Sequence, residues 1–294
     1  MKSPSEDLSR NTTAIIAAYN EGASIGEVVR QLREALPALR VLVIDDGSED
    51  DTGAAAETAG AEVIRHGANL GYGAGLATGV RAADSEFVVF IDGDGQHDVN
   101  DVQRLLAEIE DHDMVVGARG KASHAELRRR PGKTVLAMFA NYLARRRIPD
   151  VNSGLRAFRR EVLLHYLHLM PKGFSFSTTS TFAMLKGGRR IKWVPIETGP
   201  RVGASTVRQL RHGPETLMVM LRLTVLFDPL RVFLPVSGLL MVLAAVMTVL
   251  NFVFYRFAVP ATAVFLGMSS VMVFMMALVT DQVSAMRRES FERR

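Results

Sequence analysis

Two long apolar runs near the C-terminus constrain this chain more than any other feature of its sequence. Residues 232–255 and 257–280 contain no charged residue, and only Arg256 separates them. A helix of about 24 residues is roughly 36 Å long, which exceeds the roughly 30 Å thickness of the hydrocarbon layer of a bilayer. Helices of soluble proteins are seldom both so long and apolar on every face. The sequence therefore predicts a hairpin of two transmembrane helices at residues 232–281.

The charges that flank the hairpin predict its orientation. Arg222 and Arg231 precede it, the connecting turn carries Arg256 alone, and four arginines follow it, namely Arg287, Arg288, Arg293 and Arg294. Basic residues concentrate on the cytoplasmic side of membranes, so both ends of the hairpin are expected there. We therefore expect a multi-pass protein of the cell membrane, with two helices and with its main domain and both termini in the cytoplasm.

Composition excludes several other classes of protein. The chain has no cysteine, which excludes disulfide bonds and thiolate zinc sites. The net charge of +4 is too small to indicate a nucleic-acid partner. Basic residues cluster at 128–130 with Lys133 and again at 145–147. These clusters fit either a solvated helix face or a surface for anionic lipid or phosphate, and both interpretations stay open.

The first half of the chain alternates apolar strand patterns with helical ones. Strands are predicted at 13–18, 41–44, 61–64, 87–91 and 114–116, and helices at 23–36, 73–83 and 99–109, with one more helix capped by Ser48 and Asp51. This alternation predicts an α/β fold with a mostly parallel sheet covered on both faces.

Beyond residue 118 the pattern is looser. It predicts strands at 154–158 and 191–196 and helices at 135–146, 161–169 and 177–185, and residues 214–227 suit a helix at the membrane surface. The expected organisation is a flexible tail (1–11), an α/β domain (12–210), a juxtamembrane amphipathic helix (211–231), the hairpin (232–281) and a basic tail (282–294).

Polar residues collect where three of the predicted strands end. The first strand is followed by Tyr19, Asn20 and Glu21, the second by Asp45 and Asp46, and the fourth by the sequence DGDGQHD at 92–98. Ligands of open α/β sheets bind at the carboxyl ends of the strands. Three acidic ends at one edge therefore indicate a site for a cation and a polar ligand.

The segment at 92–98 is open to more than one interpretation. An EF-hand loop that starts at Asp92 would need glycine at its sixth position and glutamate at its twelfth, where this chain has His97 and Gln103. A plain Asp/Gly turn remains an alternative. The other alternative is a hard divalent ion that is held by two carboxylates and an amide and completed by substrate phosphates. Asp98 is expected to cap the helix that begins at Val99.

Seven segments follow one another along the chain: AAYNE (17–21), DDGS (45–48), NLGYGAG (69–75), DGDGQHD (92–98), GAR (117–119), NSGLRAF (152–158) and RVGAST (201–206). In this order they resemble the motifs of family 2 glycosyltransferases of the GT-A fold, in particular the polyprenyl-phosphate glycosyltransferases related to dolichol-phosphate mannose synthase. The resemblance covers roughly residues 12–210, and the C-terminal hairpin is a common membrane arrangement of this group. It implies a GT-A, Rossmann-like sheet.

The resemblance also implies site residues. Asp92 and Asp94 would be catalytic, and Asp94 and Gln96 would hold Mg²⁺ or Mn²⁺. The nucleotide-sugar pocket would comprise Ala17, Tyr19, Glu21, Asp45, Asp46, Gly71, Gly73, Asp92 and Gly93. The acceptor phosphate would be held by Arg119, Lys133, Arg201 and Ser205. The chain departs from the family at Ala17, where proline is usual, and near Lys133, where an arginine followed by serine is expected.

By the same resemblance, the reaction moves a sugar from a nucleotide sugar to a polyprenyl (undecaprenyl or dolichyl) phosphate with inversion of the anomeric carbon. A UDP-sugar is favoured as donor, with GDP-mannose as the alternative. The expected partners are this donor, the lipid acceptor and the membrane, and packing of hairpins into a homo-oligomer is compatible with the sequence. Two rival functions are a polysaccharide synthase and an inactive membrane scaffold. Synthases carry Gln-x-x-Arg-Trp, whereas Trp193, the sole tryptophan, follows Lys192.

Overall fold

The computed structural model describes residues 6–120, 138, 140–173, 175–197, 209–254 and 259–292, with the backbone alone for 209–216 and 287–292. The chain divides into two compact units, Met1–Val219 and Met220–Arg294. The predicted site residues Lys133, Arg201 and Ser205, and part of the helix predicted at 135–146, lie outside the described residues.

The first unit contains a sheet of seven strands. They are β1 (Thr12–Ala18), β2 (Arg40–Asp45), β3 (Glu62–Arg65), β4 (Phe87–Phe90), β5 (Met114–Arg119), β6 (Arg156–Arg159) and β7 (Ile191–Ile196). Their order is β3-β2-β1-β4-β6-β5-β7, and β6 runs antiparallel to both of its neighbours while the other pairs are parallel. The predicted α/β fold with a mostly parallel sheet is therefore confirmed.

Helices connect and cover these strands. They are α1 (Glu6–Arg10), α2 (Gly22–Ala35), α3 (Thr52–Thr58), α4 (Tyr72–Ala82), α5 (Val99–Ile109), α6 (Arg160–Tyr166) and α7 (Phe176–Lys186), and residues 140–144 are also helical. Every residue of β4 is buried, as expected for a strand with helices on both faces. The core on one face is built by residues such as Ile25, Leu32 and Leu105 packing on the sheet.

Two local predictions need correction. Part of the tail predicted as flexible forms α1, whose Leu8 is 5% exposed in the hydrophobic core. Ser48 does not cap α3, because that helix begins at Thr52 and the hydroxyl of Ser48 accepts the N–H of Asn20 instead. The predicted cap of α5 is confirmed, since the carboxylate of Asp98 accepts the N–H of Asn100 at 2.8 Å.

The second unit holds the apolar helices. The helix α8 (Gln209–Phe227) runs into it, and α9 (Leu230–Phe254) and α10 (Ala261–Glu292) form an antiparallel pair. Leu230–Phe254 and Ala261–Met286 are long and apolar enough to cross a membrane, and little of either is buried inside the protein. The large outward apolar surface of these helices suggests that the protein is anchored in a membrane.

Candidate active site

Three polar loops meet at one edge of the sheet. They follow β1, β2 and β4, which are adjacent and parallel. The strand order reverses between β1 and β4, since β2 and β3 lie on one side of β1 and β4 lies on the other. Such a switch point opens a crevice at the carboxyl ends of the strands. The structure thus brings together the acidic segments that the sequence placed at the strand ends.

Two side chains hold the carboxylate of Asp92 in place just beyond β4. The hydroxyl of Tyr72 donates to Oδ1 at 2.9 Å, and Nε2 of His97 lies 3.4 Å from Oδ2. The backbone of Gly154 packs directly against this group, because a Cβ there would come within 2.2 Å of Oδ2. With 32% of its side chain exposed, Asp92 still faces solvent. It is a fixed anion that a ligand can reach.

The surroundings of Asp92 keep it ionised. Burial raises the pKa of this carboxyl group, but the hydrogen bonds from His97 and Tyr72 and the charge of Arg119 bring the pKa below its ordinary value. Burial and the adjacent Asp92 charge raise the pKa of Tyr72 well above the usual value for a phenol. Tyr72 therefore remains protonated and donates to Asp92.

Asp94 and Gln96 lie in the tight turn that follows. Gly95 has a φ of 70°, and Oδ1 of Asp94 accepts the N–H of Gln96 at 3.2 Å. The turn is tied to α2 through the hydroxyl of Ser24, which donates to the carbonyl of Gly93 at 2.7 Å. Within the described residues, no three His, Cys, Asp or Glu side chains converge as a complete metal site.

The donor set of this turn fits a cation that is only partly held by protein. A carboxylate and an amide supply two oxygen ligands, and Mg²⁺ commonly takes one or two carboxylates with the remainder from water and substrate phosphates. Asp94 and Gln96 are therefore suited to Mg²⁺ or Mn²⁺ in the presence of a diphosphate.

Asp46 is used differently from Asp92. Its Oδ1 accepts the N–H of Leu70 at 3.0 Å, and its Oδ2 accepts that of Gly71 at 2.7 Å. Nδ1 of His66 lies 2.6 Å from Oδ1, and Nε2 of His66 lies 3.0 Å from the hydroxyl of Thr78. With Asp46 only 2% exposed, this network fixes the loop at 69–71 against β2. The predicted pocket residue Asp46 thus shapes a wall of the site.

The loops after β1 and β2 are joined by hydrogen bonds. Asn20 has a φ of 55°, and its Oδ1 accepts the N–H of Glu49 at 2.9 Å. The N–H of Glu21 donates to the hydroxyl of Thr52 at 2.9 Å, and Asp45 accepts the N–H of Ser48 at 2.9 Å. The two predicted pocket residues Ala17 and Tyr19 are half-buried at the end of β1. The predicted pocket residues at this edge of the sheet, which also holds Asp92, are therefore Ala17, Tyr19, Glu21 and Asp45.

The glycines of the 69–75 segment make a close backbone contact within the protein. A Cβ at Gly71, whose φ is 101°, would lie 2.6 Å from the carbonyl oxygen of Lys172, and one at Gly73 would lie 2.2 Å from that of Pro171. The N–H of Ala74 also donates to the carbonyl of Lys172 at 3.0 Å. Glycine is needed here so that the start of α4 can pack on residues 171–173.

Arg119, predicted to bind the acceptor phosphate, is paired with Asp150. Its Nε and Nη2 donate to the two carboxylate oxygens at 2.7 and 3.1 Å. Burial opposes ionisation of both groups, but their mutual attraction prevails, so the pKa of Asp150 is lowered and that of Arg119 is raised. With 38% of its side chain exposed, Arg119 still reaches solvent at the end of β5.

Several residues of this site were not predicted from the sequence: Tyr72, His66, Asp150 and Arg156. Arg156 lies on β6 and is 1% exposed. The sequence carried two signals for it: Arg156 lies in the NSGLRAF segment at 152–158, and the buried helix α7 contains five consecutive hydroxyl residues at 177–181. Such a run inside a buried helix indicates a polar partner, since buried hydroxyl groups are normally hydrogen-bonded. Ser180 and Thr181 accept hydrogen bonds from Arg156.

Comparisons with protein families identify two regions of the chain. The family described as "Glycosyl transferase family 2" matches residues 13–167, more than half of the chain. The family described as "GtrB C-terminal hairpin" matches residues 228–286. These regions coincide with most of the sheet domain and with the pair of apolar helices.

Comparisons with individual proteins also find sugar transferases that are similar to this chain. The undecaprenyl-phosphate mannosyltransferase of Micrococcus luteus is 31% identical over 224 residues, covering 68% of this chain and 92% of the relative. The polyprenol monophosphomannose synthase of Mycolicibacterium smegmatis is 31% identical over 204 residues, covering 64% and 77%. Among solved structures, glucosyl-3-phosphoglycerate synthase from Mycobacterium tuberculosis, in complex with Mn²⁺, UDP and glucosyl-3-phosphoglycerate, superposes with a TM-score of 0.61. That structure is 20% identical, covers 76% of this chain and 85% of its own, and shows that the fold is shared.

Proposed function

The chain belongs to glycosyl transferase family 2, and on that premise we propose that it transfers a sugar from a nucleotide sugar to a polyprenyl phosphate at a membrane. One observation carries the proposal: a sheet edge with a fixed, ionised Asp92 occurs in the same chain as a two-helix apolar hairpin. An enzyme that glycosylates a lipid phosphate needs both a donor site and a means of staying beside the bilayer. The names of both relatives above also contain a polyprenyl phosphate or a polyprenol.

The organisation that we propose follows from this. Residues 12–210 form the catalytic domain, residues 211–231 lie at the membrane surface, residues 232–281 span the membrane and residues 282–294 form a basic cytoplasmic tail. The helices α8, α9 and α10 support these boundaries to within a few residues, except that α10 continues to Glu292.

We propose that the donor binds along the loops after β1, β2 and β4. The first two loops contribute Ala17, Tyr19, Glu21 and Asp45 to this pocket. The loop at 69–71, which is held by hydrogen bonds to Asp46, closes its far side. Asp92 and Gly93 face the sugar side of the pocket. A UDP-sugar remains our preferred donor, and the mannosyl names of the relatives make a mannose nucleotide the principal alternative.

Asp94 and Gln96 would hold Mg²⁺ or Mn²⁺ together with the diphosphate of the donor. The ion supplies positive charge that stabilises the departing nucleotide diphosphate. Asp92 has the complementary task of orienting the donor, because Tyr72 and His97 fix its carboxylate in one position. Rigid placement of a reacting group can lower the barrier by several kcal/mol, on the order of 7–11 kcal/mol in the best intramolecular cases.

A phosphate acceptor needs no general base. The second pKa of a phosphate monoester is about 6, so the group is mostly dianionic at neutral pH and is already a nucleophile. The protein must instead hold two anionic groups close together. Arg119 is placed to contribute positive charge at the end of β5, and we propose that Lys133, Arg201 and Ser205 complete the acceptor site. A single displacement at the anomeric carbon inverts it, and a product with the retained anomer would contradict this mechanism.

A panel of labelled nucleotide sugars tests the proposal. The full-length protein in lipid nanodiscs is incubated with polyprenyl phosphate, Mn²⁺ and each donor in turn, and the lipid product is quantified. We expect one donor to give a lipid-linked monophosphate sugar, and chelation of the metal to stop the reaction. The absence of lipid-linked sugar with every donor would contradict the proposal.

Two aspartates four residues apart provide a matched pair of variants. Asp94→Ala should abolish both transfer and Mn²⁺-dependent nucleotide binding, because it removes a carboxylate ligand of the metal. Asp98→Ala should retain transfer but lose about 1 kcal/mol of stability, because among the described residues the hydrogen bond of the Asp98 carboxylate is the one that caps α5. Substantial transfer by Asp94→Ala would rule out its assignment as a metal ligand.

A further inference from the structure

An arginine is buried beneath the candidate active site without a carboxylate in hydrogen-bonding distance among the described residues. Arg156 is 1% exposed, yet within the described part of the chain its guanidinium donates to neutral oxygens alone. Burying a charge in this way is costly, and the hydrogen bonds of Arg156, together with the charges of Asp150 and Asp92, offset part of that cost.

The hydrogen bonds of Arg156 join two parts of the chain. On one side, Nε donates to the carbonyl of Ser153 at 2.6 Å, and Nη2 donates to that of Val151 at 2.7 Å. On the other side, Nη1 donates to the carbonyl of Ser177 at 2.6 Å and to the hydroxyls of Ser180 and Thr181 at 3.0 and 2.8 Å. Arg156 therefore ties the loop at 151–153 to the first turns of α7.

That loop leads directly to Asp92. Gly154 follows Ser153, and its backbone packs on the carboxylate so closely that a Cβ would lie 2.2 Å from Oδ2. A second tie supports the same loop, because the hydroxyl of Thr178 on α7 donates to Oδ1 of Asn152 at 2.7 Å. Residues 151–154 thus form a wall beside Asp92, and the position of this wall limits where the carboxylate of Asp92 can lie.

We propose that Arg156 is a positioning residue for sugar transfer, which fixes the wall at 151–154 against Asp92 through its hydrogen bonds to α7 and to the loop. The inference rests on the proposed function of that site. The fork of five N–H groups is essential to this role, since a lysine ammonium cannot make the same planar set of contacts. Burial lowers the pKa of Arg156 to about 10, so the side chain stays protonated and donating at neutral pH.

Arg156→Lys separates geometry from charge, and Arg160→Lys is its matched control. Arg160 also donates to backbone carbonyls, with Nε 2.9 Å from that of Val80. Val80 lies about 12 Å along α4 from Tyr72, so the control perturbs a similar bond far from Asp92. We expect Arg156→Lys to reduce kcat about tenfold or more with little change in the KM for polyprenyl phosphate, as small misplacements in an active site do. Arg160→Lys should remain within about twofold of the wild type.

A second kinetic test asks whether Arg156 acts through Asp92. In an Asp92→Asn background, adding Arg156→Lys should reduce kcat by no more than about twofold, because residues that act as a unit are not additive. If the two losses multiply, or if Arg156→Lys has the kcat of the wild type, the positioning role is wrong.

Hydrogen–deuterium exchange tests the inference without any activity. In Arg156→Lys, peptides that cover 92–98 and 150–156 should exchange faster than in the wild type, while peptides from β1 and β2 keep their protection. Thr181→Val, which removes a single acceptor, provides a milder variant with a smaller change in the same peptides if Arg156→Lys does not fold. Unchanged exchange at 150–156 in the folded variants would overturn the inference. Altered exchange in a protein that transfers no sugar would instead contradict the proposed function.

Discussion

Asp46 follows β2 and Asp92 follows β4, the two strands on either side of β1, but the carboxylate oxygens of the two residues have different partners. Asp46 is 2% exposed and accepts two backbone N–H groups, so its charge organises the loop at 69–71. Asp92 accepts from two side chains and keeps about a third of its side chain exposed. A buried carboxylate whose oxygens are occupied by backbone N–H groups and by His66 stabilises a wall, whereas one that is fixed but exposed can meet a ligand.

The pair Arg119–Asp150 gives a stability prediction at the scale of single residues. The pKa of Asp150 is lowered because Arg119 favours the carboxylate more than burial disfavours it. A lowered pKa in the folded state means that the stabilisation is complete above the pKa of the unfolded chain. It is lost as the pH falls through the pKa of the folded state.

Asp150→Asn should therefore reduce the free energy of unfolding at pH 7 by about 1 kcal/mol, since solvent screens the half-exposed arginine. The difference from the wild type should shrink below about pH 4, where the carboxylate begins to be protonated in the unfolded chain, and it should vanish once the pH has fallen through the lower pKa of the folded state. Thermal unfolding of the variant and the wild type at pH 7 and at pH 3.5 measures this difference. Asp84→Asn is the control, because Asp84 pairs with Arg40 at the surface and should have little effect at either pH. An equal loss at pH 7 and at pH 3.5 would contradict the prediction.

The residues that sequence reasoning missed are those whose roles depend on distant partners. Asp150 contacts an arginine 31 positions earlier, and Tyr72 donates to a carboxylate 20 positions later. The acidic strand ends were predictable because they follow apolar runs directly. The pairing of Arg119 was not predictable, since only the packing of β5 beside the loop at 150 brings the two charges together.

Among the helices and strands, lengths were more predictable than orientations. The predicted strand at 191–196 matches β7, that at 13–18 differs from β1 by one residue at its start, and that at 41–44 differs from β2 by one residue at each end. The strand predicted at 154–158 is β6, at 156–159, and its antiparallel direction was not predicted. Apolar periodicity shows which residues are buried, but it contains no information about which neighbour a strand pairs with or in which direction.

The two apolar helices are joined by a reciprocal pair of hydrogen bonds. The hydroxyl of Ser237 donates to the carbonyl of Ser270 at 3.0 Å, and the hydroxyl of Ser270 donates to the carbonyl of Ser237 at 2.8 Å. Both serines are buried, as are Ala244, Ala263 and Ala277. Small residues let membrane helices approach closely, and hydroxyl groups at such an interface hydrogen-bond across it.

Replacing both serines by alanine should weaken the association of α9 and α10 by about 1 kcal/mol, because interhelical hydrogen bonds in membranes are individually modest. Unfolding of the full chain in mixed micelles with increasing SDS measures the change. Thr280→Ala is the control, because the hydroxyl of Thr280 bonds within its own helix to the carbonyl of Met276 and should leave the association unchanged. Equal effects of the serine and threonine variants would show that the serine pair has no special role.

At the scale of the whole molecule, the chain combines two units that differ in where their apolar residues lie. The unit at Met1–Val219 encloses its apolar residues around the sheet, whereas the helices of the unit at Met220–Arg294 expose residues such as Phe254, Phe265 and Met272. An exposed apolar surface of this extent suggests that a bilayer covers it along Leu230–Phe254 and Ala261–Met286. In the function that we propose, this combination lets a lipid-borne acceptor and a polar donor meet in one protein.

The orientation of the hairpin gives the last prediction. Arginines flank both ends of the hairpin in the sequence, whereas the turn carries Arg256 alone, so we propose that the turn between the helices faces away from the cytoplasm. Because the chain has no cysteine, single-cysteine variants label at one position only. Val259→Cys, in the exposed residues after the turn, and Asp111→Cys, on the surface of the sheet domain, are expressed in bacteria and treated with a membrane-impermeant maleimide.

In intact spheroplasts, Val259→Cys should label, and Asp111→Cys should label only after the membrane is broken. Val242→Cys, near the middle of α9, should label in neither state, since the hydrocarbon layer excludes the reagent. Labelling of Asp111→Cys from outside would place the catalytic domain on the other side of the membrane. Labelling of Val242→Cys in intact spheroplasts would show that α9 does not span the membrane at all. The expected pattern would support the cytoplasmic placement that we propose for the donor site.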